Sequence, residues 1–166
     1  MKSIILSIML LLIAGCEVQQ TMKLTSNAFQ NNEKIPDKYT CKGENINPEL
    51  AVKDIPAGTK SLALIMDDPD APRGTWDHWI LFNIKPTGTI KENSVPEGAS
   101  QGKNSAGKNE YSGPCPPSGT HRYIFKLYAL DTELKIDENA DKKAVENAMK
   151  GHILAETKLT GLYSKQ

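Results

Sequence analysis

The segment Asp68-Pro69-Asp70-Ala71-Pro72 stands almost directly behind the apolar run Ser61 to Met66, and no other stretch restricts the fold as much. Proline locks φ and has no N–H to give a β ladder, so acids set between prolines occupy a rigid loop at a strand end rather than a helix face. A short apolar run that stops at such acids reads as a buried strand delivering them at its C-terminal end. His78 to Ile84, closed by Lys85-Pro86-Thr87-Gly88, reads as another such strand. Arg122 to Leu130 reads as a third, with Tyr123, Phe125, Leu127 and Ala129 on one face. Lys23 to Phe29 suggests a strand ahead of the polar stretch 31–45. Asp141 to Thr157 is the one clear helical segment: Val145, Ala148, Met149, His152 and Ile153 recur at helical spacing, Asp141 suits a cap, and Gly151 is where it bends or splits. Strands first and one late helix predict a mainly β domain.

Residues 1–16 read as a secretion signal, with Lys2 supplying charge and Ile4 to Ile13 almost continuously apolar. The run is shorter than the roughly 20 residues a bilayer span needs. It ends in Ile13-Ala14-Gly15-Cys16, which resembles a bacterial lipobox and would make Cys16 the lipidated first residue of the mature chain. The expected division is a lipoprotein signal over 1–16, a short tether over 17–22 and one domain over 23–166, since about 150 residues suffice for one core and not for two. The expected place is the cell envelope, at a membrane and held by lipid. The chain has 20 basic and 20 acidic residues, so removing Lys2 leaves 19 against 20. That balance excludes phosphate-backbone binding to nucleic acid as the main role.

Two imidazoles join the acids. Six residues past Pro72 comes His78, within Trp76-Asp77-His78-Trp79, and far downstream Gly113-Pro114-Cys115-Pro116-Pro117-Ser118-Gly119-Thr120-His121-Arg122-Tyr123 closes a long loop rich in glycine, serine, asparagine and proline. A loop of that length within a compact domain is functional or disordered, and the proline pair argues for an ordered binding loop. These motifs, with Asn45-Ile46-Asn47-Pro48-Glu49-Leu50 before them and Gly151-His152 to Tyr163 after them, resemble the phosphatidylethanolamine-binding protein family in its bacterial and archaeal Raf-kinase-inhibitor-like branch. The resemblance implies an antiparallel β-sandwich with a C-terminal helix and a ligand cavity at one end. It implies that Asp68, Asp70, Pro72, His78, Gly113, Pro117, His121 and Tyr123 line a pocket for phosphate, a phospholipid head group or a similar anion. His78 and His121 would hold the anion, Asp68 and Asp70 would set protonation and shape, and Tyr123 would supply a hydroxyl. Carboxylates beside imidazoles favour the imidazolium, and backbone N–H groups at Gly113-Pro114 and Gly119-Thr120 would add donors.

The plainer readings stay beside these. One of Asp68 and Asp70 is expected merely to cap turn N–H groups. His78 and His121 could each be satisfied core residues, His152 reads as structural on the apolar helix face, and Trp76 and Trp79 read as packing. Cys115 and Ser118 precede His121 but lie in no Gly-x-Ser-x-Gly elbow or thiol-protease context, so a binding protein is expected and not an enzyme. No metal and no cofactor is expected: two His and two Asp lack a His-x-x-x-His spacing, and no Cys-x-x-Cys occurs. Cys41 and Cys115 form a disulfide, as an exported chain invites, or only pack near one another, as cysteines at similar places do in family members without export signals. The chain departs from the family at Asn104-Ser105-Ala106-Gly107 and at Val52, where large rings are common, which bears on ligand identity rather than fold. The rival function is an envelope protein-binding inhibitor, for example of a protease.

Overall fold

The computed structural model describes residues 21–165; the predicted signal and Cys16 lie outside them. In chain order the strands are β1 (Lys23–Thr25), β2 (Glu33–Lys34), β3 (Leu50–Lys53), β4 (Ser61–Asp68), β5 (Trp76–Ile84), β6 (Thr89–Ile90), β7 (Ser100–Gln101), β8 (Thr120–Leu130) and β9 (Ile153–Ser164). A short 3-10 helix covers Asp37–Tyr39, and one α-helix, α1 (Lys142–Met149), lies between β8 and β9. The strands form two layers, a three-stranded sheet ordered β1-β3-β6 and a six-stranded sheet ordered β2-β9-β8-β4-β5-β7. All pairings are antiparallel except β2 with β9. This is the expected mainly β sandwich. Among the described residues no helix is long and apolar enough to cross a membrane.

β4 is buried at every position, which is why its sequence runs apolar without alternating. Leu62, Leu64 and Met66 face the small sheet and join a core that includes Phe125, Leu127 and Trp79. Ala63 and Ile65 face the other way, into a second core closed by Val145 and Met149 of α1 and by Leu134. The segment carrying Leu134 is fixed on that face by Asn83, whose amide donates to the Leu134 carbonyl at 3.0 Å and accepts from its N–H at 2.7 Å. Asn83 has φ 56° and is the extra residue of a bulge in β5, since Leu62 opposes Ile84 while Leu64 opposes Leu81.

The late helix is shorter than its periodicity predicts. Asp141 caps it, accepting from the Ala144 N–H at 2.9 Å, but Gly151 adopts φ 79° and ends it. Ile153 onward belongs to β9, which pairs with β8 from Leu130↔Ile153 to Thr120↔Ser164. His152 is therefore not on an apolar helix face; it is exposed, and its Nδ1 lies 2.8 Å from Asp131. The first strand is also shorter, ending at Thr25 instead of Phe29.

Candidate functional site

A second irregularity in β5 creates the site. Met66 opposes Trp79, yet Asp67 opposes Asp77, so His78 is an unpaired extra residue on β5. The bulge turns two successive side chains inward: Trp79 enters the inner core, while His78 packs edge-on against Tyr123 with ring centroids 5.1 Å apart. It also frees the His78 backbone from β4. The His78 carbonyl accepts from the Ser112 N–H at 3.1 Å, and the ring Nδ1 lies 2.6 Å from the Ser112 carbonyl. Two bonds thus tie the long loop to one residue, and a bulge beside a site is a recurrent way to re-aim a side chain.

Opposite it, His121 and Tyr123 project inward from β8, two residues apart on one face. His121 Nδ1 donates to Asp68 Oδ2 at 2.7 Å, and both residues are buried, at 6% and 3% exposure. Asp68 Oδ1 accepts from the Asp70 N–H at 2.8 Å, so this acid both closes the turn and orients a histidine. Asp70 has another duty. Its carboxylate takes the Arg122 backbone N–H at 3.0 Å, Nε at 2.9 Å and Nη2 at 2.7 Å, stitching the β4–β5 loop to β8. The Arg122 side chain holds the Asp70 carboxyl down to about 2, with burial opposing. The structure thus brings Asp68, His78, His121 and Tyr123 together, and engages Asp70 with arginine. Pro72 and Pro117 are exposed on the loops that frame the group.

Two expectations need correction. Burial pushes the His78 imidazole below its ordinary range, outweighing the Ser112 carbonyl and the nearby Asp68 charge, so carboxylates do not keep this ring protonated. Nor is the Gly113 N–H free for a ligand, because it donates to Asn45 Oδ1 at 2.8 Å. The same approach explains the glycine: an added Cβ would meet the Tyr39 carbonyl and would come within 2.7 Å of Asn45 Oδ1. Tyr123 is fully buried, and its hydroxyl has no hydrogen-bond partner among the described residues. Burial and the Asp68 charge push this phenol up; the Cys115 N–H lies near it without good bonding geometry.

The loop is anchored from the far side. Cys41 and Cys115 are joined by a disulfide with Cα atoms 5.5 Å apart, resolving the open alternative, and the Cys41 N–H donates to the Pro114 carbonyl at 3.2 Å. Tyr111 Oη donates to the Tyr39 carbonyl at 2.8 Å. The Asn104-Ser105-Ala106-Gly107 segment is a tight turn bound to β5, with the Asp77 N–H on Ser105 Oγ at 2.8 Å. Sequence reasoning missed Ser112 and Asn45, whose parts depend on a carbonyl and on a contact across 68 positions. It also missed the other side of the sheet. There Asp67 and Asp77, neighbours of Asp68 and His78, are joined by Lys142 at 2.8 and 2.9 Å, and Lys126 reaches Asp67 at 2.6 Å. Burial opposes the charge on Lys142, but the two acids raise it to about 12.

Fold and motifs agree with what the chain is similar to. The family model for phosphatidylethanolamine-binding protein matches residues 25–164. A UPF0098 protein of Methanothermobacter thermautotrophicus is 51% identical over 150 residues, covering 87% of this chain and 99% of the relative. One of Pyrococcus horikoshii is 43% identical, covering 98% of this chain and 88% of its own length. Among solved structures, a phosphatidylethanolamine-binding protein homologue from Chlamydia trachomatis superposes with a TM-score of 0.85 at 43% identity, covering 88% of this chain and 99% of that one. E. coli YbcL gives 0.82 at 30% identity, with 89% and 100% covered. The chain belongs to the phosphatidylethanolamine-binding protein family.

Proposed function

We propose that this is a non-enzymatic binding protein whose pocket takes a small oxyanion, phosphate or a phosphate-bearing head group, and that it works at the cell envelope, held by lipid on Cys16. The observation that carries the pocket is the buried Asp68–His121 pair at 2.7 Å, set beside a second imidazole that a β-bulge turns to the same side. In each ring Nδ1 is committed to the protein, to Asp68 and to Ser112. Among the described residues neither Nε2 has a protein partner or is sealed from solvent, so both remain for a ligand. Asp68 faces any positive charge that His121 takes on. The name of the family and of the Chlamydia homologue, phosphatidylethanolamine binding, agrees with recognition of a phosphate group, although that lipid itself is a diester.

Titration calorimetry with inorganic phosphate at pH 6 tests this on wild type, His121→Ala and His152→Ala. A hydrogen bond to a charged group contributes about 1.5 to 3 kcal/mol, so His121→Ala weakens binding by about tenfold or more while His152→Ala leaves it unchanged. Equal affinity for wild type and His121→Ala removes the pocket from consideration and leaves capture of an envelope protein partner as the function to pursue.

A further inference from the structure

We infer, resting on the pocket proposed above, that the site selects a phosphate species carrying its own P–O–H, a monoprotonated phosphomonoester or hydrogen phosphate, over a phosphodiester, because one of its two ligand-facing imidazole nitrogens is fixed as an acceptor. The fixing is geometric. A carbonyl oxygen can only accept, so the 2.6 Å approach of His78 Nδ1 to the Ser112 carbonyl places the ring proton on Nδ1. The reciprocal bond from the Ser112 N–H to the His78 carbonyl holds loop and ring in that register. His78 is 5% exposed, and its burial disfavours a second proton. Nε2 then presents a lone pair.

The groups around the ring reinforce this. Asp68 lies on its side of the sheet from β4, Asp67 and Asp77 act on it by charge from the opposite side, and Tyr123 packs on it from β8 beside His121. The lysines of the neighbourhood, Lys126 and Lys142, are spent on Asp67 and Asp77, and Arg122 is spent on Asp70. A fully ionised phosphate oxygen set against His78 Nε2 would oppose two acceptors in a buried site. A P–O–H at the same place donates to Nε2 instead, while His121 Nε2 serves another oxygen of the group as donor. A diester has no proton to give.

The second ionisation of a phosphomonoester lies near pH 6. Methyl phosphate and dimethyl phosphate are thus both largely singly charged at pH 5.5, and the hydroxyl is their main chemical difference. Titration calorimetry of the two against the wild-type protein is the test. Methyl phosphate should bind at least about tenfold more tightly than dimethyl phosphate at pH 5.5. At pH 8, titrations in two buffers of different ionisation enthalpy should show that methyl phosphate takes up more protons on binding than dimethyl phosphate does. In His78→Gln, whose amide can donate to the ligand, the preference should shrink toward unity. Equal affinity of the two esters for wild type overturns the inference and leaves the anion pocket standing; binding of neither overturns the pocket itself.

Discussion

At the scale of single residues, the site is a matter of which nitrogen and which oxygen are already committed. Asp68 and Asp70 look alike in the sequence, yet the first holds a histidine and the second holds Arg122. The commitments of His78 and Asp70 appear in pH dependence. His78 has a folded-state pKa below its unfolded value of about 6.5. Its contribution to stability is therefore complete above that value and is lost as pH falls toward the folded pKa, because only the unfolded chain gains the proton. Asp70, lowered to about 2, acts in a separate window and loses its contribution between roughly pH 4 and pH 2. Denaturant unfolding of wild type should show stability declining below about pH 6.5, with a slope for this one proton of at most about 1.4 kcal/mol per pH unit. In His78→Gln that component should be missing. An unchanged slope in the variant would place the titrating group elsewhere.

At the scale of elements, the legible parts were those whose signal is local. Ser61 to Met66, His78 to Ile84 and Arg122 to Leu130 declare themselves by apolar runs and turn residues, and all three are strands. The segment after Gly151 does not, because His152 and Ile153 continue the helical spacing of Val145 and Met149 by coincidence. What decides it is the left-handed Gly151 and a long ladder with β8, and the ladder is a tertiary fact. The bulge at His78 is hidden for a similar reason: it is a difference in count between two strands, visible only once they pair. The same pairing sets Asp67 opposite Asp77, two like charges that need a cation between them. Lys142, in the first turn of α1, supplies it, so the helix is joined to the sheet by charge as well as by Val145 and Met149. Lys142→Met should cost about 2 kcal/mol in urea unfolding, moderated by Lys126, which still pairs with Asp67. Lys143→Met, at an exposed neighbouring position, should stay within about 0.5 kcal/mol of wild type. Equal stability of the two variants would mean that apolar packing alone seats the helix.

At the scale of the whole molecule, the disulfide agrees with the export proposed from the first sixteen residues. Cys41 and Cys115 lie 74 positions apart, and their bond closes a large loop of the chain while pinning the Pro114–Pro117 turn to the segment after the 3-10 helix. Bonds of this kind persist in oxidising compartments and are rare in a reducing cytosol. This supports, from inside the domain, the export that Lys2 and the apolar run Ile4 to Ile13 suggest from outside it. On the proposed reading the Cys16 sulfur carries the lipid. Two lipid signals, such as paired acyl chains, anchor stably where a single chain holds only marginally, so a diacylated Cys16 would fix the protein at a membrane surface. Expressed in a bacterium fed labelled palmitate, the wild-type chain should carry the label and fractionate with membranes, whereas Cys16→Ser should lose the label and keep its leader uncleaved by lipoprotein signal peptidase. The phosphate affinity of a soluble form starting at Thr21, which keeps the buried Met22, should match that of the anchored protein, because Asp68, His78 and His121 are held by β4, β5 and β8 and by bonds among the described residues. Label retained in Cys16→Ser would show that the lipid sits elsewhere and that the anchor reading is wrong.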